Sequence, residues 1–213
     1  MNGLTPRLVL WRHGRTAWNV EGRFQGQTDT ELDEVGRVQA RTAARRLAAL
    51  RPAAVVSSDL RRARATAAEL GRVTGLPVAL DAGLREIHGG RWQGLTLAEI
   101  ARRWPVEYAA WCRGEPVPRG GELEPEVAER FCASVARALP TVPADGVLVV
   151  VSHGSAIRSA IGRLLGLPPT YWRAPGPLSN CCWSVLGDGD GAGWRLLEHN
   201  AGSLPEPVLG EDR

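Results

Sequence analysis

Short apolar runs alternate along the chain with longer segments in which apolar residues recur at helical spacing. The apolar runs predict strands at 8–11, 53–56, 77–80, 147–151, 182–186 and 194–197. The periodic segments predict helices at 32–50, 59–73, 96–104, 106–112, 122–139 and 155–165. Strands that alternate with helices are typical of an α/β fold, so we expect a three-layer structure in which helices flank a mostly parallel sheet.

Two of these predictions are specific enough to be checked residue by residue. The first long helix is predicted to bury one stripe of residues, which consists of Leu32, Val35, Val38, Ala43, Leu47 and Leu50. The next helix is predicted to begin after Asp59, whose carboxylate would accept a hydrogen bond from the first turn.

The chain is predicted to form one domain over residues 1–203. A segment at about 86–121, rich in Gly, Trp and Arg, reads as a cap-like excursion over the sheet, and residues 204–213 read as a flexible tail. The glycine tract at 187–193 is interpreted as a hairpin loop, because a phosphate-binding loop is normally followed by a helix and this one is not.

Composition and charge narrow the class of protein. The 213 residues are 44% hydrophobic and 23% charged, which is typical of a globular protein. The 26 basic residues, all of them Arg, are interspersed with 23 acidic ones, so we expect no nucleic-acid partner. No apolar stretch reaches ~18 residues, which disfavours a membrane partner. The four cysteines form no C-x-x-C pair, which favours a reduced, cytoplasmic protein.

Two His-Gly pairs follow two predicted strands. The first strand runs into Arg12, His13 and Gly14, and the strand at 147–151 runs into Ser152, His153 and Gly154. Ligands of open α/β sheets bind outside the carboxyl ends of the strands. The two histidines therefore predict one composite site at that edge of the sheet.

Other chemistries fit these residues less well. The four histidines show no H-x-H or H-x-x-x-H spacing, which makes a metal site the weaker hypothesis. A catalytic triad through Ser57 or Ser58 lacks the nucleophile elbow that such a serine needs. Neutral imidazole can attack phosphorus directly while a neighbouring guanidinium stabilises the phosphoryl oxygens, and this reaction needs neither a metal nor another cofactor.

Four segments resemble, in order, the motifs of the histidine phosphatase superfamily, whose members share the phosphoglycerate mutase-like fold. They are Arg12-His13-Gly14-Arg15-Thr16-Ala17-Trp18-Asn19, then Ser57-Ser58-Asp59-Leu60-Arg61-Arg62-Ala63, then Leu84 to Gly94, and finally Ser152-His153-Gly154. A fifth segment, Gly120-Gly121-Glu122-Leu123, resembles a G-G-E-S element but carries Leu123 where serine is usual.

The resemblance implies a role for each matching residue. His13 would be the nucleophile, Arg12, Arg62 and His153 would hold the transferring phosphoryl group, and Glu86 would be the general acid and base. Asn19, Gln25 and Gly154 would line the phosphate pocket. Arg61, Arg85 and His88 are expected to have no catalytic role, although His88 is near enough to Glu86 along the chain to touch the substrate.

The implied activity is hydrolysis of a small phosphate ester through a phosphohistidine. The segments 25–32, 180–183 and 194–196 resemble members that act on a phosphoglycerate carrying a sugar. Two alternatives stay open: a phosphoglycerate mutase that needs a phosphorylated cofactor, and a non-catalytic module that binds phosphorylated ligands. The short stretch between Trp92 and Gly120 favours hydrolysis, because an open pocket admits water. A homodimer also stays open.

Overall fold

The computed structural model describes residues 6–189 and 193–202, and its centre is a six-stranded sheet. The strands are β1 (Arg7–Arg12), β2 (Ala54–Ser57), β3 (Val78–Leu80), β4 (Val147–Ser152), β5 (Trp183–Asp188) and β6 (Trp194–Ala201). Their order across the sheet is β3-β2-β4-β1-β5-β6. The four strands from β3 to β1 are parallel, whereas β5 pairs antiparallel with β1 and β6 pairs antiparallel with β5. The predicted α/β fold is confirmed.

Seven α-helices accompany the sheet in the described residues. They are α1 (Ala17–Glu21), α2 (Glu34–Ala48), α3 (Arg61–Thr74), α4 (Leu97–Arg103), α5 (Pro105–Cys112), α6 (Glu124–Ala138) and α7 (Gly154–Leu164). Helices α4 and α5 belong to the predicted excursion. Trp92 and Trp111 of this segment pack edge to face with each other and with Phe24 from outside it, with ring centroids 5.9 to 6.4 Å apart. No helix in the described ranges is long and apolar enough to cross a membrane.

The two faces of the sheet bury separate hydrophobic cores. Alternate residues of β1 point to opposite faces: Leu8 and Leu10 pack with α6 and α7, whereas Val9 and Trp11 pack with α2 and α3. Strand β4 is buried along its whole length and contributes to both cores in the same way. A strand buried on both faces is held in one register, which fixes where its carboxyl end lies.

The predicted buried stripe of α2 is partly wrong. Val35 and Val38 are 42% and 53% exposed, and the buried face consists of Gly36, Ala40, Ala43, Ala44 and Leu47. Small residues lie on the inner side because α2 approaches the loop after β1 closely. A Cβ added to Gly36 would lie 2.1 Å from the Arg15 carbonyl oxygen. Close approach of the backbones therefore explains the glycine at position 36, whereas Ala40, Ala43, Ala44 and Leu47 pack in the hydrophobic core on this face of the sheet.

The predicted cap of α3 is also wrong. The residue at the N-cap position is Leu60, and the Asp59 carboxylate instead accepts two hydrogen bonds from Arg85, at 2.7 and 2.5 Å. The paired guanidinium lowers the pKa of Asp59. The interpretation of 187–193 as a hairpin agrees with the antiparallel pairing of β5 and β6, although residues 190–192 lie outside the described part, as does the predicted tail at 204–213.

Candidate active site

The composite site lies where β1 and β4 end side by side. These strands are parallel neighbours, and the last pair in their register is Arg12 with Ser152. The next residue of each strand is therefore a histidine at the same edge of the sheet, and the rings of His13 and His153 lie with centroids 5.1 Å apart. The structure brings together the two histidines that the sequence placed at strand ends.

His13 is held as a neutral imidazole with its Nε2 lone pair toward Arg62. Its Nδ1 lies 2.7 Å from the Gly14 carbonyl oxygen, which can only accept, so Nδ1 carries the proton. Arg62 Nε donates to Nε2 at 3.3 Å. Burial, followed by the charges of Arg62 and Arg12, holds the pKa of His13 well below its usual value. A neutral ring with an unprotonated Nε2 is the form that acts as a nucleophile.

His153 has one ring nitrogen in a hydrogen bond and one without a partner. Its Nε2 lies 2.9 Å from Ser58 Oγ, while its buried Nδ1 has no hydrogen-bond partner among the described residues. Ser58 Oγ also accepts from the Leu60 amide at 3.3 Å, so its own proton is available to donate to Nε2. The tautomer this favours carries its proton on Nδ1. Burial and the charge of Arg62 lower the pKa of His153 as well.

Two buried arginines flank the histidines. Arg62, at the start of α3, donates to the carbonyl oxygens of Thr28 and Gly26 at 2.8 and 2.7 Å in addition to His13. Arg12, the last residue of β1, donates to the Leu178 carbonyl oxygen at 2.5 Å. Both are at most 1% exposed. Such fixed guanidinium groups are suited to binding the oxygens of a phosphoryl group.

Glu86 lies at the N-terminus of α7, which follows His153. Its Oε1 accepts from the Ile87 and Ala156 amides at 2.8 and 2.9 Å, and its Oε2 accepts from the Ser155 amide at 3.1 Å. Three N–H donors and the helix dipole stabilise the ionised carboxylate. The ionised carboxylate is the form that takes a proton from water. To act as the general acid, Glu86 must instead carry a proton when a dianionic ester occupies the site.

The predicted pocket residues Asn19 and Gln25 each present an amide donor to the interior. Asn19 Oδ1 accepts from the Thr16 amide, and Gln25 Oε1 accepts from the hydroxyls of Thr16 and Thr30. Their amide nitrogens, Asn19 Nδ2 and Gln25 Nε2, are buried and have no partner in the described chain. Two oriented, unpaired donors suit an anion. Gly154 is the buried first residue of α7.

Glycine is needed at position 14 for a structural reason that the sequence did not reveal. A Cβ at Gly14 would lie 2.5 Å from the Gly36 carbonyl oxygen, so the loop after β1 and the start of α2 meet at two glycines. The Gly14 amide donates to Thr66 Oγ on α3 at 3.1 Å. The glycine after His13 therefore serves packing of the loop that carries the histidine.

Sequence reasoning missed two residues near the site. Ser58 was considered only as a nucleophile, and its contact with His153 depends on β2 lying next to β4. Arg119 was not singled out, although it is 1% exposed and lies over the rings of Phe24 and Trp92. No local signal marks either residue, because both act through contacts that are distant along the chain.

The described residues contain no group of three or more His, Cys, Asp or Glu side chains that could hold a metal ion. The residues at the edge of the sheet are histidines, arginines and amides that surround a single carboxylate. This chemistry is suited to binding an anion.

Comparisons with known proteins agree with this arrangement. The profile of the histidine phosphatase superfamily (branch 1) matches residues 8–202. The chain is 43% identical over 210 residues to glucosyl-3-phosphoglycerate phosphatase of Mycobacterium tuberculosis, which covers 92% of this chain and 94% of that protein. It is 37% identical over 184 residues to the metal-independent phosphoserine phosphatase of Arabidopsis thaliana, covering 84% of this chain and 75% of that one.

Solved structures show the same relationship. A mycobacterial glucosyl-3-phosphoglycerate phosphatase in complex with VO3 superposes with a TM-score of 0.88 at 44% identity, covering 93% of this chain and 100% of the other. The chain therefore belongs to the histidine phosphatase superfamily and is, as an enzyme, a phosphatase of that superfamily.

Proposed function

We propose that the protein hydrolyses a phosphate monoester without a metal, through a phosphohistidine at His13. The observation that carries this proposal is the hydrogen bond from Nδ1 to the Gly14 carbonyl, which leaves Nε2 unprotonated. Nε2 attacks phosphorus when the weak hydrogen bond from Arg62, at 3.3 Å, is exchanged for a phosphoryl oxygen. The lowered pKa of His13 keeps the ring neutral at physiological pH.

The reaction has two steps. In the first, His13 Nε2 forms a bond to phosphorus, the bond from phosphorus to the ester oxygen breaks, and Glu86 gives its proton to the leaving alkoxide. In the second, Glu86 takes a proton from water as the water oxygen attacks phosphorus. The bond from phosphorus to Nε2 then breaks, which releases inorganic phosphate and neutral His13.

The phosphoryl oxygens would bind to two buried arginines and to buried donors that have no hydrogen-bond partner in the described residues. Arg12 and Arg62 supply positive charge, His153 supplies its unpartnered Nδ1, and the amides of Asn19 and Gln25 supply neutral donors. The amide of Gly154 adds a donor from the start of α7. Donors held in place before the reaction stabilise the charge that develops on the oxygens during transfer.

The relatives support a sugar-bearing phosphoglycerate as the substrate. Proteins named glucosyl-3-phosphoglycerate phosphatase in two mycobacterial species are 43% and 40% identical to this chain over nearly its full length. We propose glucosyl-3-phosphoglycerate as the ester that the enzyme hydrolyses fastest.

We also propose that residues 1–203 form one domain, that the protein is cytoplasmic and that its partner is the small ester alone. Cys112 and Cys132 are free thiols, which fits a reducing compartment. The interspersed charges favour no nucleic acid. Sedimentation of the purified protein would distinguish a monomer from the homodimer that the sequence leaves open.

The decisive experiment measures phosphate release in EDTA from glucosyl-3-phosphoglycerate and p-nitrophenyl phosphate, together with trapping of the phosphoenzyme by an alkaline quench, because phosphohistidine is stable in base and hydrolyses in acid. We expect wild-type turnover to survive EDTA, and His13→Ala to lose both turnover and trapped phosphate. His199→Gln is the control, because this histidine lies on β6, two strands away from β1, and bonds Ser184. Loss of wild-type activity in EDTA, or normal turnover in His13→Ala, would contradict the mechanism.

The same assay separates the alternatives. Rapid conversion of 3-phosphoglycerate to 2-phosphoglycerate in the presence of 2,3-bisphosphoglycerate, with little free phosphate, would identify a mutase. Tight binding of phosphate esters without any release would identify a binding module.

A further inference from the structure

Arg119 is a buried cation that the proposed mechanism does not use. It lies in the excursion, two residues before Gly121, and only 1% of its surface is exposed. Its guanidinium carbon lies 5.6 Å from the centre of the Phe24 ring and 5.5 Å from that of Trp92. The guanidinium donates one weak hydrogen bond, from Nη2 to the Glu122 carbonyl oxygen at 3.3 Å, and makes no other hydrogen bond among the described residues.

The nearby acids are occupied by other donors. The Glu122 carboxylate accepts from Arg130 at 2.7 and 2.9 Å and from the His88 amide at 2.8 Å. Glu124 lies 3.7 Å from Arg173, and the carboxylate of Glu86 accepts its three backbone amides. Within the described ranges, no carboxylate forms an ion pair with Arg119.

This leaves two buried donors, Nε and Nη1, without a partner. An arginine does not lose its proton in a protein, so burial of an unpaired guanidinium costs free energy that the two aromatic rings offset only in part. Burial lowers the pKa of Arg119, and the charges that oppose this effect are those of Glu124, Glu86 and Glu122. Contacts also connect Arg119 to the proposed acid. Arg119 donates to the Glu122 carbonyl oxygen, and Gln27 Nε2 lies 3.3 Å from the Glu122 carboxylate and 3.1 Å from the Glu86 carbonyl oxygen.

A buried cation with free donors near the general acid is suited to an anionic group of the substrate. We propose that Arg119 binds the carboxylate of a phosphorylated carboxylic acid, adjacent to the ester that His13 and Glu86 cleave. This inference rests on the proposed function and names the class of substrate: a phosphate ester with a carboxylate a few bonds from the ester oxygen. Nε or Nη1, which lie on opposite edges of the guanidinium, would donate a charge-assisted hydrogen bond to a carboxylate oxygen.

The burial of Arg119 does not separate it from the substrate. His13 and Glu86 are each only 2% exposed, so the residues that the mechanism assigns to the substrate are buried to a similar degree. In an enclosed site a charged hydrogen bond is worth more than at the surface, so the carboxylate contributes strongly to specificity.

The test compares two esters that differ at one carbon. 3-Phosphoglycerate carries a carboxylate where sn-glycerol 3-phosphate carries a hydroxymethyl group, and p-nitrophenyl phosphate reports on the phosphoryl pocket. In the wild type we expect kcat/KM for 3-phosphoglycerate to exceed that for glycerol 3-phosphate by about 10- to 100-fold, the effect of one charged hydrogen bond. In Arg119→Met this ratio should fall to near one, mainly through a higher KM for 3-phosphoglycerate.

Arg173→Met is the matched control. Arg173 also lies over an aromatic ring, 5.2 Å from the centre of Trp111, and burial lowers its pKa too. It is already partnered, however, because it donates to the Trp111 carbonyl oxygen at 2.6 Å. We expect this variant to lose stability and to keep the substrate ratio of the wild type.

The outcomes distinguish this inference from the proposed function. Equal wild-type rates on the two glycerol-based esters, or an unchanged ratio in Arg119→Met, would overturn the carboxylate site while leaving the phosphatase intact. If the wild type hydrolyses none of the three esters in EDTA, the proposed function itself fails. Because the first comparison uses only the wild type, poor folding of the variant cannot hide a negative result.

Discussion

At the scale of single residues, Arg62 connects the parts of the site. Three hydrogen bonds of its guanidinium go to the His13 ring and to the carbonyl oxygens of Gly26 and Thr28. One planar group therefore holds both the ring and the loop that carries Gln25. A guanidinium presents donors in a fixed fork, whereas an ammonium is a point charge with a flexible stem. The shape of the side chain matters here as much as its charge.

We therefore expect Arg62→Lys to lower turnover of p-nitrophenyl phosphate by at least tenfold and to weaken inhibition by vanadate, although the charge is kept. Arg61→Lys is the matched control, because Arg61 is half exposed and pairs with Glu31 at the surface. It should change either quantity by less than about twofold, since exposed ion pairs contribute about 1 kcal/mol or less. A sensitive Arg61 and a silent Arg62 would reverse the assignment.

At the scale of elements, helix starts show which segments are well capped. Thr16 and Thr96 begin α1 and α4 with complete capping boxes, in which the hydroxyl accepts from the third residue of the helix and that residue's side chain bonds back. Helix α6 has only half of this motif. Glu126 Oε2 accepts from the Leu123 amide at 2.8 Å, but the Leu123 side chain offers no acceptor in return.

Replacing the missing acceptor should stabilise the protein. Leu123→Ser would accept from the first turn of α6 and complete the box, which we expect to raise the free energy of unfolding by about 1 kcal/mol and Tm by about 2–4 °C. Chemical and thermal denaturation measure both quantities. Leu123→Ala also removes the half-buried leucine but supplies no oxygen, so a gain of equal size in that variant would show that capping is not the cause.

At the scale of the whole molecule, the buried histidines link stability to pH. Burial lowers the pKa of His13 and His153 in the folded protein, while in the unfolded chain they return to about 6.5. Below that value the unfolded chain binds protons that the folded chain does not, so the free energy of unfolding falls as pH falls. The lowered pKa values of Asp59, Asp81 and Glu122 act in the same direction, but only as pH approaches the carboxylate range.

Between pH 6.5 and 5 we expect urea denaturation to show stability falling by up to about 1.4 kcal/mol per pH unit for each of the two histidines. His13→Gln should lower the number of protons taken up on unfolding by about one and make the pH dependence of stability correspondingly weaker. Arg61→Lys should leave this pH dependence unchanged. Stability that is constant over this range would mean that the two rings titrate normally in the folded protein.

The sequence by itself determined the strands, most of the helices and the order of the chemical motifs. This succeeded because a buried strand such as β4 needs a continuous run of β-branched residues, and an amphipathic helix such as α6 needs apolar residues at its own period. The rule that ligands bind at the carboxyl ends of parallel strands then placed His13 and His153 at one edge. Their roles in catalysis remain predictions.

Only the tertiary structure decided which contacts these residues make. Gly36 of α2 is required by close approach to the loop after β1, and Asp59 pairs with Arg85 instead of capping its own helix. Ser58, after β2, reaches His153, after the neighbouring strand β4. Arg119 carries no local signal, since it is marked only by two buried guanidinium nitrogens, Nε and Nη1, that have no hydrogen-bond partner in the described part of the chain. Periodicity reports how a segment lies relative to the core, whereas hydrogen bonds and charges depend on residues that are far away along the chain and are brought close only by folding.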